Sequence, residues 1–375
     1  MIDMLIAHTL EVDDPSRALR ETLALLDLSR RLKKNSVGIV HCSNDFIENG
    51  MVREICERMP FPTIGMNTLL HSSSLGLIDN ILLTLCVLTS DDVRFSTALT
   101  EPLTPANMNS AIAYAYVDAE NLLQRRPAFG FVIAPNLNFC AIGEEVIDIL
   151  DRVSDRLPFF GGVAADYSVT IRNPKVIFNG ESFSDRLALI LTEGRVNPRF
   201  QCYPVPAIKL IQQKGIVTAS EGNMIKTVNG RPVLEFLEDL GLSHSGHIAG
   251  THTIPIFLDS HDGNPPRVRI MHGQTAEGYI TLGGKVPVDT TLGIGAINQE
   301  HVEATLRHAG SLAKRHNPRV FILYSCLSRN FSLGLDYRAE LETLRSQTDG
   351  KIPYVFNYTA GEFCPVHERG GRYKN

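Results

Sequence analysis

A single pattern of hydrophobic and polar positions recurs three times along the 375-residue chain. Each copy begins with apolar residues that return every three or four positions, which is the spacing of an amphipathic helix. A short, continuously apolar run follows, then a second helical segment and a second apolar run. Such runs, closed by Gly, Pro or Asn, are typical of strands that helices bury. The pattern therefore predicts repeated helix–strand–helix–strand units.

The bounds of these units follow from where each periodic or apolar segment begins and ends. In the first two copies a further apolar strand follows, at 81–87 and 187–191. Repetition at this scale predicts similar units that share sheets. In the order helix, strand, helix and strand, the copies cover 15–33, 37–42, 51–58 and 61–66; 107–124, 129–134, 143–156 and a strand from 159; and 299–316, 320–325, 336–347 and 352–356.

The middle of the chain differs, because shorter apolar runs alternate there with Gly and Pro. A hairpin is predicted around 221–223. A helix is predicted after Pro232, because the N–H that proline lacks would have no partner in the first turn of a helix. Further predicted strands cover 268–271, 278–282 and 290–294.

The segment 193–201, with Gly194 and Pro198, is the predicted boundary between domains. A chain of this length exceeds what one compact core normally accommodates. We therefore predict an α/β protein of mixed sheets flanked by helices, built from repeated units in two tandem domains, 1–196 and 197–375.

The bulk composition is that of a soluble globular protein, with 43% hydrophobic and 21% charged residues. A net charge of −5 gives no nucleic-acid footprint. The first residues lack the positive charge of a signal peptide, and the longest apolar stretch, 81–88, is far shorter than the roughly 20 residues of a membrane span. The seven cysteines never form C-x-x-C, so neither a disulfide framework nor a zinc ribbon is expected. We expect a cytoplasmic protein.

Histidines are concentrated in a Gly/Ser/Thr-rich segment, at His244, His247 and His252, with His261 and His272 further on. An H-x-x-H spacing followed by another histidine can hold a divalent metal. Histidines of such loops are more often simply solvated, and we expect no dedicated metal site.

His41 ends the first predicted buried strand, at the carboxyl edge of its sheet. Ligands of open α/β sheets gather outside such edges. A neutral imidazole there can ligate an iron or bond a ligand, and it can equally be a hydrogen-bonded core residue.

The corresponding edge of the third copy carries Tyr324, Cys326 and Arg329. A guanidinium matches a carboxylate or phosphate, and Cys326 becomes a thiolate if a cation lies close. The next strand of that copy leads to Gly361 and Glu362. If the two strands pair, Arg329 and Glu362 converge, either as a structural ion pair or as the two poles of an amino-acid pocket.

In the second copy, Gly161, Gly162 and Asp166 follow the start of the strand at Phe159. Glycines at a strand edge allow close approach of a ligand, and tight helix–sheet packing explains them equally well. We include these three residues as candidate ligand contacts.

At these residues the chain resembles the FIST family (F-box and intracellular signal transduction) over nearly its whole length. The first half is similar to the FIST N-terminal domain and the second half to the FIST C-terminal domain. The segments that carry the resemblance are 159–162, 176–180, 186–194, 221–223, 229–232, 269–270, 325–329 and 361–362.

The resemblance implies a bacterial, non-catalytic signal-input protein. Small ligands such as amino acids have been proposed for the family, and some members resemble haem-based nitric-oxide sensors that regulate a partner histidine kinase. No cofactor is therefore required, haem is an alternative with His41 as its candidate ligand, and the signal is expected to pass to a separate partner protein.

One departure from the family concerns the end of the third copy. Family members usually continue past the Gly-Glu element to a last strand, whereas this sequence ends at Asn375. We expect the third copy to lack its closing strand, either because the chain is truncated or because another chain completes that edge. An open strand edge favours homodimerisation.

The leading hypothesis is a sensor that binds a small polar ligand, such as an amino acid, near Cys326, Arg329 and Glu362. The first alternative is a haem-binding nitric-oxide sensor. The second, from another functional class, is a thiol enzyme that uses Cys326 and needs a histidine beside it.

Overall fold

The computed structural model describes residues 1–76, 78–137, 142–166, 173–203, 214–244, 247–248, 254–261, 266–367 and 371–374. Its elements confirm an α/β protein with mixed sheets flanked by helices. No helix within these ranges is long and apolar enough to cross a membrane.

The elements are given in chain order, in three groups. Up to residue 193 they are β1 (Asp3–Thr9), α1 (Pro15–Leu26), α2 (Leu28–Arg31), β2 (Asn35–Cys42), α3 (Asn44–Glu48), α4 (Met51–Glu57), β3 (Thr63–Asn67), β4 (His71–Ser73), β5 (Ile78–Asp79), β6 (Leu83–Ser90), β7 (Arg94–Leu99), α5 (Met108–Asn121), β8 (Phe129–Ala134), α6 (Ile142–Val153), β9 (Phe159–Val163), β10 (Val176–Phe178), β11 (Glu181–Phe183) and β12 (Ala188–Glu193). The middle group is β13 (Lys214–Glu221), β14 (Met224–Val228), β15 (Arg231–Pro232), α7 (Val233–Asp239), β16 (Ser243–His244), β17 (His247–Ile248), β18 (Pro255–Asp259), β19 (Arg267–Gln274), β20 (Ile280–Leu282) and β21 (Thr291–Ile294). The last group is α8 (Gln299–His316), β22 (Phe321–Cys326), α9 (Leu327–Leu333), a 3₁₀ turn (Gly334–Asp336), α10 (Ala339–Thr348), β23 (Tyr354–Thr359), β24 (Glu362–His367) and β25 (Gly371–Lys374).

Each predicted copy contains a parallel strand pair joined by helices, which confirms the repeat. β2 runs parallel to β3, β8 to β9, and β22 to β23. The bounds predicted for β8 and α8, 129–134 and 299–316, are those of the structure. The predicted helix 15–33 is wrong as a single element, because Asp27 adopts a left-handed conformation with a φ of 46° and separates α1 from α2.

Each parallel pair lies in its own sheet, and we number the sheets 1 to 3 after the copies. The strand orders are β1-β6-β2-β3-β10-β11, β7-β12-β8-β9-β24-β25 and β22-β23-β4-β5. In sheets 1 and 2 an antiparallel closing strand, β6 or β12, flanks the first parallel strand, and an outer strand, β1 or β7, follows. Within the part of the chain that the structure describes, β22 pairs only with β23, so sheet 3 has no counterpart of these two strands.

The three copies exchange strands in a cycle. The strand after each parallel pair joins the sheet of another copy, because β10 pairs with β3, β24 with β9 and β4 with β23. Where the copies meet, the Ala165 N–H donates to the Asn67 carbonyl at 3.3 Å, and the Thr68 hydroxyl donates to the Tyr358 carbonyl at 2.7 Å. Each sheet therefore contains a strand that comes from another copy, and the three copies form one interlocked unit.

Helices cover the outer faces of the sheets. α1 to α4 pack on sheet 1, α5 and α6 on sheet 2, and α8 to α10 on sheet 3. The inner faces meet in a central core, to which Ile39 and Ile64 belong from sheet 1, Phe131 and Ile133 from sheet 2, and Val355 from sheet 3. Since successive side chains of a strand alternate between faces, each buried strand contributes to both layers.

The segment from β13 to β21 forms a separate antiparallel barrel. Its strands follow the order β13-β21-β18-β19-β20-β14, and β13 also pairs with β14, which closes the ring. Phe236 and Leu237 of α7 belong to the same hydrophobic cluster as the barrel strands. A buried ion pair joins the barrel to the helices over sheet 2, because Arg269 on β19 contacts Glu144 on α6 at 3.0 Å, with side chains 2% and 9% exposed.

Candidate functional site

A cavity of about 730 Å³ lies alongside β22, on the side where the described residues add no further strand to sheet 3. Its wall includes β22 and one face of α8, the inner faces of sheets 1 and 2, the segment 195–203 and part of the barrel. Concave sites of several hundred Å³ with apolar walls and a few polar groups are the usual binding sites of small molecules.

Aromatic rings form much of the wall next to the central core. The rings of Phe160 and Tyr324 are stacked, with centroids 5.4 Å apart and an interplanar angle of 19°. The Phe131 ring lies 5.9 Å from each of them, and the Phe200 ring lies 6.4 Å from that of Phe160. These rings come from sheets 2 and 3 and from the 195–203 segment, so the surface depends on packing between copies.

Tyr324, which the sequence predicts as a site residue, connects this wall to a buried histidine. Its hydroxyl is 2.9 Å from Nε2 of His41, a fully buried residue that is not part of the cavity wall. Burial lowers the pKa of His41 well below its ordinary value, and the neighbouring His71 lowers it further. His41 is therefore neutral at physiological pH.

This arrangement does not suit His41 as a haem ligand in the cavity. An axial ligand must present a ring nitrogen to the iron. Nε2 of His41 is hydrogen-bonded to the Tyr324 hydroxyl, and Tyr324 lines the cavity whereas His41 does not. Ligation of an iron through Nε2 would require this hydrogen bond to break.

Arg329 reaches the cavity wall from the first turn of α9 and is held by several groups. It forms an ion pair with Glu340 at 2.8 Å, with side chains 12% and 0% exposed. It also donates to the Thr305 hydroxyl and to the carbonyls of Val302 at 3.3 Å and Tyr203 at 3.4 Å. Its Nε is buried and has no hydrogen-bond partner among the described residues.

Glu340 is the counter-ion that fixes Arg329. It is fully buried and accepts hydrogen bonds from the Ser325 hydroxyl at 2.9 Å and the Tyr358 hydroxyl at 2.8 Å. From the sequence, Glu362 was the acidic residue expected next to Arg329. In the structure Arg329 and Glu362 both line the cavity, and the ion pair that organises Arg329 is the one with Glu340.

Glu362, Gly361 and Cys326 lie in the cavity wall together. The Thr359 hydroxyl donates to Glu362 at 2.8 Å. Burial, together with the nearby Glu362 carboxylate, raises the pKa of Cys326 to about 12, although Arg329 acts in the opposite direction. Both charged residues are thus close to Cys326, and its sulfur is a protonated thiol at neutral pH.

The second copy's candidates lie in the packing of sheet 2 rather than in the cavity wall. A Cβ on Gly161 would lie 1.8 Å from the Val132 carbonyl oxygen, and one on Gly162 would lie 2.6 Å from Thr359. Asp166 is buried and accepts a hydrogen bond from the Asn173 N–H. The Val132 backbone therefore accounts for Gly161, and the Thr359 side chain accounts for Gly162.

The histidine-rich segment lies mostly outside the described residues, which exclude His252 and the side chains of His244 and His247. His261 is exposed, with Nε2 2.9 Å from the Thr291 hydroxyl, and His272 lies in the cavity wall. Within the ranges that the structure covers, no three His, Cys, Asp or Glu side chains are grouped so that they could hold a metal ion.

Several cavity residues have no signal in the sequence. Glu340 stands in the first turn of a helix, where an acidic residue is ordinarily a solvated partner of the helix dipole. The segment 195–203 resembles a linker, and Phe160 resembles any buried strand residue. The role of Glu340 becomes visible only from the pairing of β22 with β23. This pairing brings Ser325 opposite Tyr358, and the hydroxyls of both residues donate to Glu340.

Three strand-exchanged sheets and a barrel define an α/β protein, and its aromatic cavity with a few polar groups has the size and lining of small-molecule binding sites. Comparison with known families agrees: residues 36–231 match the FIST N domain, and residues 234–365 match the FIST C domain. The chain belongs to the FIST family, whose domains are signal-transduction sensors suggested to bind small ligands. This confirms the family resemblance. No curated protein matches the chain significantly.

Proposed function

We propose that the chain is a sensor that binds a small polar ligand, such as an amino acid, and reports its presence to a separate signalling protein, such as a histidine kinase. The observation that supports this most is the position of Arg329, Glu362 and Cys326 in the wall of one aromatic cavity. Charged groups at an apolar cavity fix the orientation of a ligand, and the apolar wall supplies contact area.

Arg329 and Glu362 offer different contacts to a ligand. The charge of Arg329 is balanced by Glu340 at 2.8 Å, while its buried Nε lacks a partner among the described residues. A buried donor without an acceptor is costly, so a ligand oxygen at this N–H is favourable. Glu362 adds a carboxylate that attracts an ammonium group. The two residues therefore suit the carboxylate and the ammonium of an amino acid.

The stacked rings of Phe160 and Tyr324 suit the ligand's side chain. An apolar or aromatic side chain gains contact area against such rings, and offset stacking adds to it. We therefore expect aromatic and large aliphatic amino acids to bind more tightly than glycine, alanine or the acidic amino acids.

Calorimetric titration and thermal unfolding of the dialysed protein test the proposal. A ligand at a hundred times its Kd stabilises the folded state by about 2.7 kcal/mol. We expect such stabilisation from at least one amino acid, and its loss in Glu362→Gln. The matched control is Glu342→Gln, which changes an exposed carboxylate of α10. No response to any amino acid, amine or organic acid would refute the proposal.

Haem binding makes a separate prediction. A haem sensor would take up hemin with a Soret band that moves on addition of nitric oxide and changes in His41→Ala. Because His41 Nε2 is bonded to Tyr324, we expect no His41-dependent band. A band that requires His41 would favour the haem alternative over the amino-acid sensor.

A further inference from the structure

Two cysteines besides Cys326 lie in the wall of the cavity, and they neighbour each other. Cys202 belongs to the segment 195–203, and Cys364 is the third residue of β24. Burial raises the pKa of Cys202, and the nearby Cys364 and Glu362 raise it further. Since one thiol influences the titration of the other, Cys202 and Cys364 belong to the same part of the wall.

A contact of the Cys364 thiol limits the distance between the two residues. Its sulfur lies 3.5 Å from the carbonyl oxygen of Gln201, the residue before Cys202. A carbonyl oxygen is about 2.8 Å from the Cα of the next residue in a trans peptide, so the Cα of Cys202 is within roughly 6 Å of that sulfur. Disulfides form between residues whose Cα atoms are usually about 4.4–6.8 Å apart. Rotation of the two side chains, with a small shift of the segment, therefore brings the sulfurs into bonding distance.

The two thiols differ in access to solvent. Cys202 is partly exposed and follows the exposed Gln201, whereas Cys364 is only 7% exposed. A small reagent therefore reaches Cys202 first, and Cys364 is placed to react with the modified Cys202. Cys42 and Cys56 also neighbour each other, but both are buried in the core beneath the helices of sheet 1 and are shielded from such a reagent.

The segment that carries Cys202 is part of the cavity wall. Its Phe200 ring lies 6.4 Å from the Phe160 ring, and its Tyr203 carbonyl accepts a hydrogen bond from Arg329 at 3.4 Å. These contacts are non-covalent, so they hold the segment reversibly. A covalent bond from Cys202 to β24 would fix the segment beside Arg329. The oxidation state of the pair therefore determines how freely this part of the wall moves.

We propose that Cys202 and Cys364 form a reversible disulfide by exchange with a low-molecular-weight disulfide, so that the cavity wall responds to the thiol redox state. The Cys202 thiolate attacks one sulfur of the small disulfide, whose S–S bond breaks and releases one small thiolate. The Cys364 thiolate then attacks the Cys202 sulfur of the mixed disulfide and displaces the second small thiolate. The two protein thiols lose two electrons, which reduce the small disulfide, and two protons, which pass through solvent to its two thiolates. An excess of the small thiol reverses both steps.

Burial controls the rate of this exchange. It raises the pKa of Cys364 to about 12, and it raises the pKa of Cys202 above its ordinary value. Both thiols are therefore protonated at neutral pH, and Glu362 and Arg329 are the charged groups that act on Cys202. Only the thiolate attacks a disulfide, and its fraction rises about tenfold per pH unit below the pKa. We expect the exchange rate to rise about tenfold per pH unit from pH 7 to pH 9.

Oxidised glutathione is the probe. The intact, reduced chain is incubated with it at pH 8, the remaining thiols are blocked with N-ethylmaleimide, and disulfide-linked peptides are identified by mass spectrometry. The main product should link Cys202 to Cys364 and should disappear on reduction with dithiothreitol. In Cys364→Ser the reaction should stop at a glutathione adduct on Cys202, whereas Cys326→Ser should still form the link. Each variant is first shown to unfold at a midpoint near that of the unmodified chain, and Cys364→Ala replaces Cys364→Ser if the serine is destabilising.

Hydrogen exchange tests the effect of the disulfide on the cavity wall. The amides of 195–203 should exchange roughly threefold or more slowly in the oxidised than in the reduced chain, and dithiothreitol should restore the faster exchange. A main product that links Cys202 or Cys364 to another cysteine, or a pairing no more selective in the folded than in the urea-unfolded chain, would overturn the proposal. So would unchanged exchange of 195–203 after the link has formed. Because the assay contains no free amino acid, failure of the amino-acid proposal leaves its result unaffected.

Discussion

Removing the positive charge of Arg329 should destabilise the protein strongly. Glu340 is fully buried and its charge is compensated by Arg329 at 2.8 Å. Breaking a buried pair from one side costs about 3–5 kcal/mol, because the remaining charge is uncompensated. The hydroxyls of Ser325 and Tyr358 still donate to Glu340, which places the expected loss for Arg329→Gln near the lower value, about 3 kcal/mol.

Urea and thermal unfolding followed by circular dichroism measure this loss. At about 2–4 °C per kcal/mol, the thermal midpoint should fall by roughly 6–12 °C. The double variant Arg329→Gln/Glu340→Gln carries no uncompensated charge and should regain at least half of the loss. The matched control Arg307→Gln removes a surface pair with Glu303 and should change stability by less than about 1 kcal/mol. An Arg329→Gln variant as stable as this control, or a double variant worse than the single one, would refute the reasoning.

Three further predictions concern other parts of the molecule. Burial lowers the pKa of His71 to about 3, so the unfolded state takes up its proton first. The contribution of His71 alone should therefore lower stability by about 1.4 kcal/mol per pH unit below pH 6.5, and urea midpoints between pH 7 and pH 4 should fall less steeply in His71→Asn. Arg269→Met should cost about 3–5 kcal/mol by leaving Glu144 buried without its partner, and adding Glu144→Met should recover much of it in the same unfolding assay. Since burial raises the pKa of Cys326 to about 12, mass spectrometry should show that iodoacetamide at pH 8 alkylates it far more slowly in the folded than in the urea-unfolded protein; fast labelling of the folded protein would favour a thiol enzyme.

The repeat could be predicted because its strands are buried on both faces. Continuous apolar runs such as 129–134 and the long amphipathic segment 299–316 have strong local periodicity, and both bounds are confirmed. The helix break at Asp27 could not be foreseen, since the left-handed conformation of one residue leaves the apolar spacing of its neighbours intact.

The exchanged strands could not be predicted from local pattern. β4, β10 and β24 are short or polar, and their pairing partners lie in other copies. Their conformation is decided by long-range pairing, which leaves no period in the sequence. The cyclic exchange therefore became visible only in three dimensions.

The candidate site was predictable in part, for a physical reason. Arg329 and Glu362 follow the ends of two strands of one copy, and parallel strands bring such ends to the same edge. Glu340 approaches from a helix whose packing the sequence does not specify. Gly161 and Gly162 have the same sequence signature whether a ligand or, as here, the Val132 backbone and the Thr359 side chain lie against them.

The most direct test of the receptor account uses a fluorophore placed in the cavity wall. The chain contains no tryptophan, so Phe160→Trp introduces a single reporter beside Tyr324. Titration with aromatic and aliphatic amino acids should shift its emission saturably, with the shift abolished by Glu362→Gln and retained with Glu342→Gln. Emission that stays unchanged across the panel, or a shift that is indifferent to Glu362→Gln, would contradict a ligand site at this cavity.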